Sequence, residues 1–368
     1  MWHLVAAAVW LLILAGWFAL YGHALQPRDG TLEWIRMYDR QRFSCLADRG
    51  SLERRDITWL LGCLVLTCAA WAWRLNAAQP LGNYPLLDLA LGLGMPALGA
   101  AGIYLLARML RVNSLLAFLA ALGTAVCFAM DASAGPAILA AALFYGWMSQ
   151  PVEAPFWKRM LWMLAAGVLV CGASILNPAV WWMLPVLGLA WLFVLALRWR
   201  AGDRVGRIVG AVLLSLLWLA VLVLTFAVAW ALWHGGLGSR ELPQAIWNGE
   251  LLRTLGDLRE SLFRTPRVQL LWPLLENCGV VLAGLISWVT LLVFAIGRRS
   301  AAAAYLFAVT CGALAAYVLS GSNLLPAVFL ADIAFAANQM WNRERSVLAV
   351  SLPALTLVLE IGNQFFGA

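Results

Sequence analysis

Charge is what this sequence has least of. Only 12% of its 368 residues are Asp, Glu, Lys or Arg, against about a quarter in an average soluble domain. Lysine occurs once, at Lys158, so the remaining basic residues are arginines. Histidine occurs only at His3, His23 and His234, too far apart to suggest a metal site. The seven cysteines (45, 63, 68, 127, 171, 278, 311) form no C-x-x-C pair, and six of them fall in apolar segments. There they read as small buried hydrophobes, not as a disulfide or metal framework. The motifs G-x-x-x-x-G-K-[ST], H-E-x-x-H and G-x-S-x-G are missing, which removes the common phosphate-loop, zinc-protease and serine-hydrolase chemistries. No cofactor-binding motif appears, and the question of a divalent metal stays open.

What the chain has in abundance is apolar residue, 64% of the whole. It comes mostly in blocks of about 17–25 residues, the length that crosses a bilayer core, with a short run at 136–148 and a long one at 208–233. Backbone groups in lipid must be satisfied within the segment, so the blocks predict helices. Twelve spans are expected, near 2–22, 57–73, 88–107, 113–130, 136–148, 160–176, 181–197, 208–233, 270–297, 302–319, 324–341 and 347–364. The fold class is all-α: a polytopic transmembrane bundle of about 12 spans, with one extracytoplasmic amphipathic helix. The first block lacks a basic leader and an A-x-A-like site before the charged stretch, so it reads as a retained helix. Four regions result: 1–56, an N-terminal span with an interfacial segment; 57–233, a transmembrane core; 234–269, an outer loop; and 270–368, the C-terminal spans.

The arginines assign sides. Nineteen basic residues fall in the segments 23–56, 108–112, 149–159, 198–207, 298–301 and 342–346, which alternate onto one face; six fall on the other. The positive-inside rule puts the first set in the cytoplasm and both termini outside, in a cell-membrane protein. The net charge of +7 is therefore topological and no sign of nucleic acid. The stretch Arg28 to Asp56 holds seven basic and six acidic residues, a balanced composition expected of a solvated collar along the inner leaflet.

On the outer face the sizeable loop is 234–269. Trp247, Leu251, Leu255, Leu258 and Leu262 recur there at helical spacing, with charges on the other faces. Outer helix ends carry carboxylates and amides: Asp88, Asp131, Glu276 and Glu360, with Asn177, Asn277, Asn323 and Asn363. Taken singly, each reads as a wetted helix end; together, several helices bring polar groups to one depth. Asp332 is the exception, in the middle of its span, where an acid marks either a functional path or a packing hydrogen bond to Asn338 or to a serine on another helix. The small residues of GLGMPALGAAG read as close helix packing.

Two runs carry a resemblance. They are IYLLARMLRVNSLLAFLAALGTAVCFAMDASAGPAILAAALFYGWM and KRMLWMLAAGVLVCGASILNPAVWWMLPVLGLAWLFVL. Together they resemble the membrane core of GT-C-type glycosyltransferases, the protein O-mannosyltransferase-like and aminoarabinose-transferase-like group, over about residues 57–200. The matching features are the Arg-rich turn Ala107-Arg108-Met109-Leu110-Arg111, the polar turn Met130-Asp131-Ala132-Ser133 and Asn177-Pro178 after a Gly-rich helix. The resemblance implies transfer of a sugar from a polyprenyl-phosphate carrier on the extracytoplasmic side. It implies Asp88 or Asp131 as general base or metal ligand, Arg74 as the cation for the donor phosphate, and Asn177 as a substrate-binding residue; Glu276, beyond the resembling region, joins the substrate-binding candidates from its place among the outer helix ends. The helix at 241–264 would cover the site. One departure is plain: the first outer loop, Arg74 to Leu87, has no carboxylate before Asp88, where the family usually carries an acidic pair.

Two readings follow. One is a lipid-linked sugar transferase with the bilayer and a polyprenyl-phosphate sugar as partners. The other is a non-enzymatic polytopic protein, a transporter, flippase or inactive relative, favoured by Asp332.

Overall fold

The computed structural model describes residues 52–126, 133–148, 156–185, 278–297, 300–344 and 347–366, with Gly188 and isolated positions between 205 and 223. Among these the chain is all-helical. The long elements are α1 (Arg54–Ala78), α2 (Leu86–Met109), α3 (Ser114–Val126), α4 (Ala134–Met148), α5 (Phe156–Leu176), α6 (Cys278–Gly297), α7 (Ala301–Ser320), α8 (Leu325–Glu344) and α9 (Val347–Phe366). Short 3-10 turns lie at Leu81–Asn83 and Pro178–Trp182. Each long helix falls on one apolar run of the sequence. Three of them, over Arg54–Ala78, Asp88–Met109 and Ala302–Ser320, are long and apolar enough to cross a membrane.

The ends of these helices follow from local chemistry. Glu53 and Asp56 form a reciprocal capping box that starts α1, which satisfies donors a helix leaves orphaned at its first turn. Helix α1 thus begins three residues before the apolar run, and Asp56 is only 3% exposed. Residues 54–56 are therefore helix and Asp56 is core, a correction to the reading of that residue as part of a solvated collar, while Glu53, Arg54 and Arg55 are exposed. Pro85 caps α2, where a missing N–H costs nothing. At the other end of α2, Val112 N–H donates to Ala107 O and Arg111 N–H to Arg108 O. This is the Schellman pattern, with Arg111 in the left-handed position (φ 65°) that glycine usually fills. Gly321, at φ 69°, ends α7 in the same left-handed way.

Successive helices across each short turn run antiparallel, so the bundle has two ends. One gathers the N-termini of α1, α3, α7 and α9 with the C-termini of α2 and α8; it is called the Arg108 end. The other gathers the turn 79–85, Asn177 and residues 320–324; it is called the Asn177 end.

Small residues set the spacing of α2 against α4. A methyl group added at Gly102 would stand 2.7 Å from Leu139 N, and one at Gly135 would overlap the Met95 carbonyl oxygen. The backbones therefore meet almost directly, in keeping with the small residues of GLGMPALGAAG. Gly284 of α6 likewise gives way to the Phe329 ring of α8. Helix α8 is the axis of the bundle: from Leu325 through Asn338 every residue is buried, as expected for a helix enclosed on all sides.

The outside is apolar too. Ile57, Leu61 and Val65 on α1, and Trp157, Leu161, Leu164 and Val168 on α5, form exposed stripes at helical spacing. Such stripes suit lipid and would be a liability in water.

Candidate functional site

At the Asn177 end, the hairpin of α1 and α2 carries two of the sequence's candidates. Arg74 is exposed near the end of α1, with its guanidinium carbon 5.5 Å from the centre of the Trp71 ring, a cation–π contact. Trp71 is held in turn by its indole Nε1–H, which donates to Thr124 O at 2.9 Å. The hairpin turn is tied back by Tyr84 Oη, which donates to Leu75 O at 3.2 Å. Asp88 lies in the first turn of α2 and is exposed. A carboxylate there complements the positive end of the helix dipole. Arg74 and Asp88 thus occupy the same end of one hairpin.

Asn177 has a different setting. Its Oδ1 accepts from Ala179 N at 2.9 Å, capping the 3-10 turn that Pro178 starts. Its Nδ2 donates to Ser322 Oγ at 3.2 Å, and Trp182 Nε1 donates to Ser320 Oγ at 3.1 Å. The Asn-Pro turn is thereby fastened to the α7–α8 turn. These bonds tie Asn177 and Trp182 to the end of α7 and the α7–α8 turn, whereas Arg74 and Asp88 belong to the α1–α2 hairpin. Asp131 and Glu276 lie outside the described residues, as do the amphipathic stretch 241–264 and the acidic residues Asp29 and Glu33.

Glu360, expected as a wetted helix end, is 1% exposed within α9. Asp332 is fully buried in the middle of α8. Its partner is Thr310 of α7, whose Oγ lies 3.1 Å from Oδ1 and 2.9 Å from Oδ2. The expected partner Asn338 does other work. Its Oδ1 accepts from Asn113 N at 2.9 Å and its Nδ2 donates to Arg111 O at 3.1 Å. One side chain of α8 thus clamps both sides of the α2–α3 turn.

The densest polar cluster lies at the Arg108 end, and sequence reasoning missed it. Asp56 Oδ1 accepts from Tyr104 Oη at 2.7 Å, Arg108 Nε at 2.8 Å and Ser114 Oγ at 3.1 Å. Its Oδ2 accepts from Glu53 N at 2.7 Å and Arg108 Nη2 at 3.1 Å. Arg108 Nη1 donates to Val112 O at 2.6 Å. These bonds join α1, α2 and α3, and the buried carboxylate is saturated with donors. Beside the cluster, Glu53, Arg55, Trp59, Arg108, Asn113, Ser114 and Leu115 line a cleft of about 280 Å³. The Arg-rich turn therefore contains a buried structural ion pair, where the sequence suggested a surface charge. The available signal was weak: Tyr104 and Arg108 stand four apart on one helix face, but their partner is 48 to 52 residues upstream.

Among the described residues no three His, Cys, Asp or Glu side chains come together to hold a metal ion. Cys63 and Cys171 are buried and Cys68 and Cys311 partly so, all as free thiols.

No known protein family, no curated protein and no solved structure matches this chain.

Proposed function

We propose that the chain is a multi-pass membrane protein of the GT-C type that transfers a sugar from a polyprenyl-phosphate carrier to an acceptor hydroxyl. The work is done at the Asn177 end, which faces the extracytoplasmic side. The observation that carries this reading is an exposed cation, Arg74, and an exposed carboxylate, Asp88, at the same end of one helical hairpin. Side assignment rests on the arginine-rich loops, which alternate to the opposite face.

In this reading the acceptor oxygen attacks the anomeric carbon of the sugar while Asp88 takes the hydroxyl proton. The bond from that carbon to the phosphate oxygen breaks, and the electron pair leaves with the lipid phosphate. Arg74 stabilises the charge on that leaving group. A positioned base and a fixed cation are what such a transfer requires. Asp131 shares the role of candidate base, and Asn177 and Glu276 remain candidates for substrate contact.

The test is transfer by the purified protein in proteoliposomes supplied with polyprenyl-phosphate sugars. Asp88→Asn and Asp131→Asn are assayed singly, with Arg74→Gln beside them. Loss of about 10²-fold or more in one of the Asp variants is expected. Unchanged transfer in both would reject the assignment.

A second reading, a non-enzymatic transporter, flippase or inactive relative, is favoured by the fully buried Asp332 in the central helix. Wild-type protein that moves a lipid-linked sugar across the vesicle bilayer without transferring it would select this reading.

A further inference from the structure

We propose that Asp332 is a proton-binding site: a carboxylic acid that gives its hydrogen to Thr310 Oγ and so joins the central helix α8 to α7. The proposal does not rest on the transferase reading.

The argument is a count of hydrogens. Thr310 has one hydroxyl hydrogen and two claimants for it. One is Leu306 O, one turn earlier in α7, at 2.9 Å. The other is the Asp332 carboxyl, at 2.9 and 3.1 Å. Among the described residues Thr310 is the one hydrogen-bond partner of Asp332. If Asp332 were ionised, both of its oxygens would depend on that single hydrogen, and Leu306 O would lose it. A fully buried carboxylate with at most one donor is among the least favourable arrangements in a protein. The saturated carboxylate of Asp56, with five donors, shows what this fold provides where it buries a charge.

With the hydrogen on the carboxyl, both hydrogens have an acceptor, and the oxygen left without a donor is a neutral carbonyl and not a charged one. The acid donates to Thr310 Oγ, the threonine donates to Leu306 O, and nothing charged is buried. The helices packed on α8 bring apolar contacts near Asp332: Gly284 of α6 meets Phe329, and Gly123 of α3 meets Leu330. Cys311, next to Thr310 on α7, is the titratable neighbour among the described residues. A thiol adds no cation to hold a carboxylate.

Infrared spectroscopy of the full-length protein in lipid nanodiscs, with aspartate isotope-labelled at the side-chain carboxyl, tests this. At neutral pH the labelled wild type is expected to show a carbonyl stretch of an un-ionised acid. That band should vanish in Asp332→Asn and change frequency in Thr310→Val, which removes its acceptor. If the labelled wild type shows only carboxylate bands, the proposal is overturned, whether or not either variant can be purified. An acid band that survives in Asp332→Asn belongs to another residue and also overturns it.

Discussion

Arg108 grips Asp56 through two nitrogens, Nε on Oδ1 at 2.8 Å and Nη2 on Oδ2 at 3.1 Å. Both side chains are nearly inaccessible, at 11% and 4% exposure. Removing one partner of a buried pair leaves the other charge without compensation, at a cost of about 3–5 kcal/mol. Arg108→Leu and Asp56→Leu are each expected to destabilise the protein by that order. The double variant should lose less than the sum, because neither charge is then stranded. Unfolding midpoints of the three variants in one detergent check this; additive losses would show that the pair is not coupled.

Arg111 occupies a left-handed backbone position at φ 65°, where a side chain costs about 1–2 kcal/mol. Arg111→Gly is therefore expected to raise the melting temperature, since the clamp from Asn338 uses the Arg111 carbonyl and no side-chain atom. Asn338→Ala should do the reverse. It leaves Asn113 N–H and Arg111 O without their partner, a loss of about 1–3 kcal/mol. Opposite signs at two ends of one contact are the discriminating result, read by thermal denaturation of both variants beside wild type.

These two contacts also show how far the sequence was legible. Helices could be read because an apolar run must satisfy its own backbone, and every described long helix falls on such a run, three of them long and apolar enough to cross a membrane. That α2 packs closely on a neighbour was legible in the glycines of residues 92–102, but that the neighbour is α4 was not. The partners of buried polar groups were not. Arg108 looked like a surface arginine because its carboxylate lies on another helix, 52 residues away. Asp332 pairs with Thr310 and Asn338 with the α2–α3 turn, and no periodicity distinguishes those choices from the one expected. Asp88 and Arg74 are both exposed at one end of a hairpin, but Arg74 lies inside α1, which runs on to Ala78, and not in the loop the sequence suggested. Whether Asn177 joins them is a matter of tertiary contacts that spacing does not encode.

Glycine positions offer a paired test of the bundle's spacing. At Gly135 an added methyl would meet the backbone of α2, including Gly99 N at 3.0 Å, while at Gly172 it would meet nothing within 4 Å. Gly135→Ala is expected to push α4 away from α2 and lower stability by about 1–3 kcal/mol. Gly172→Ala should be neutral or slightly stabilising, because it restricts the unfolded chain and favours helix. Melting temperatures in a common detergent decide it; equal effects at both sites would mean that α2 and α4 do not touch as described.

Asn177 separates a structural role from a substrate role. Its Oδ1 caps the 3-10 turn through Ala179 N and its Nδ2 reaches Ser322 Oγ. Loss of a cap costs about 0.5–2 kcal/mol, and loss of the link to Ser322 adds to it. Asn177→Ala should therefore unfold earlier than wild type. Asn177→Ser keeps a capping oxygen and should recover most of the deficit, while Ser322→Ala should reproduce the part due to the link. If the residue only fastens this turn, the Ser variant will restore sugar transfer together with stability. A variant that regains its melting temperature and still shows a raised KM for the polyprenyl-phosphate donor would instead place Asn177 in contact with substrate. Parallel measurement of melting temperature and KM on the same preparations distinguishes the two, because a cap acts on the first and a ligand contact on the second.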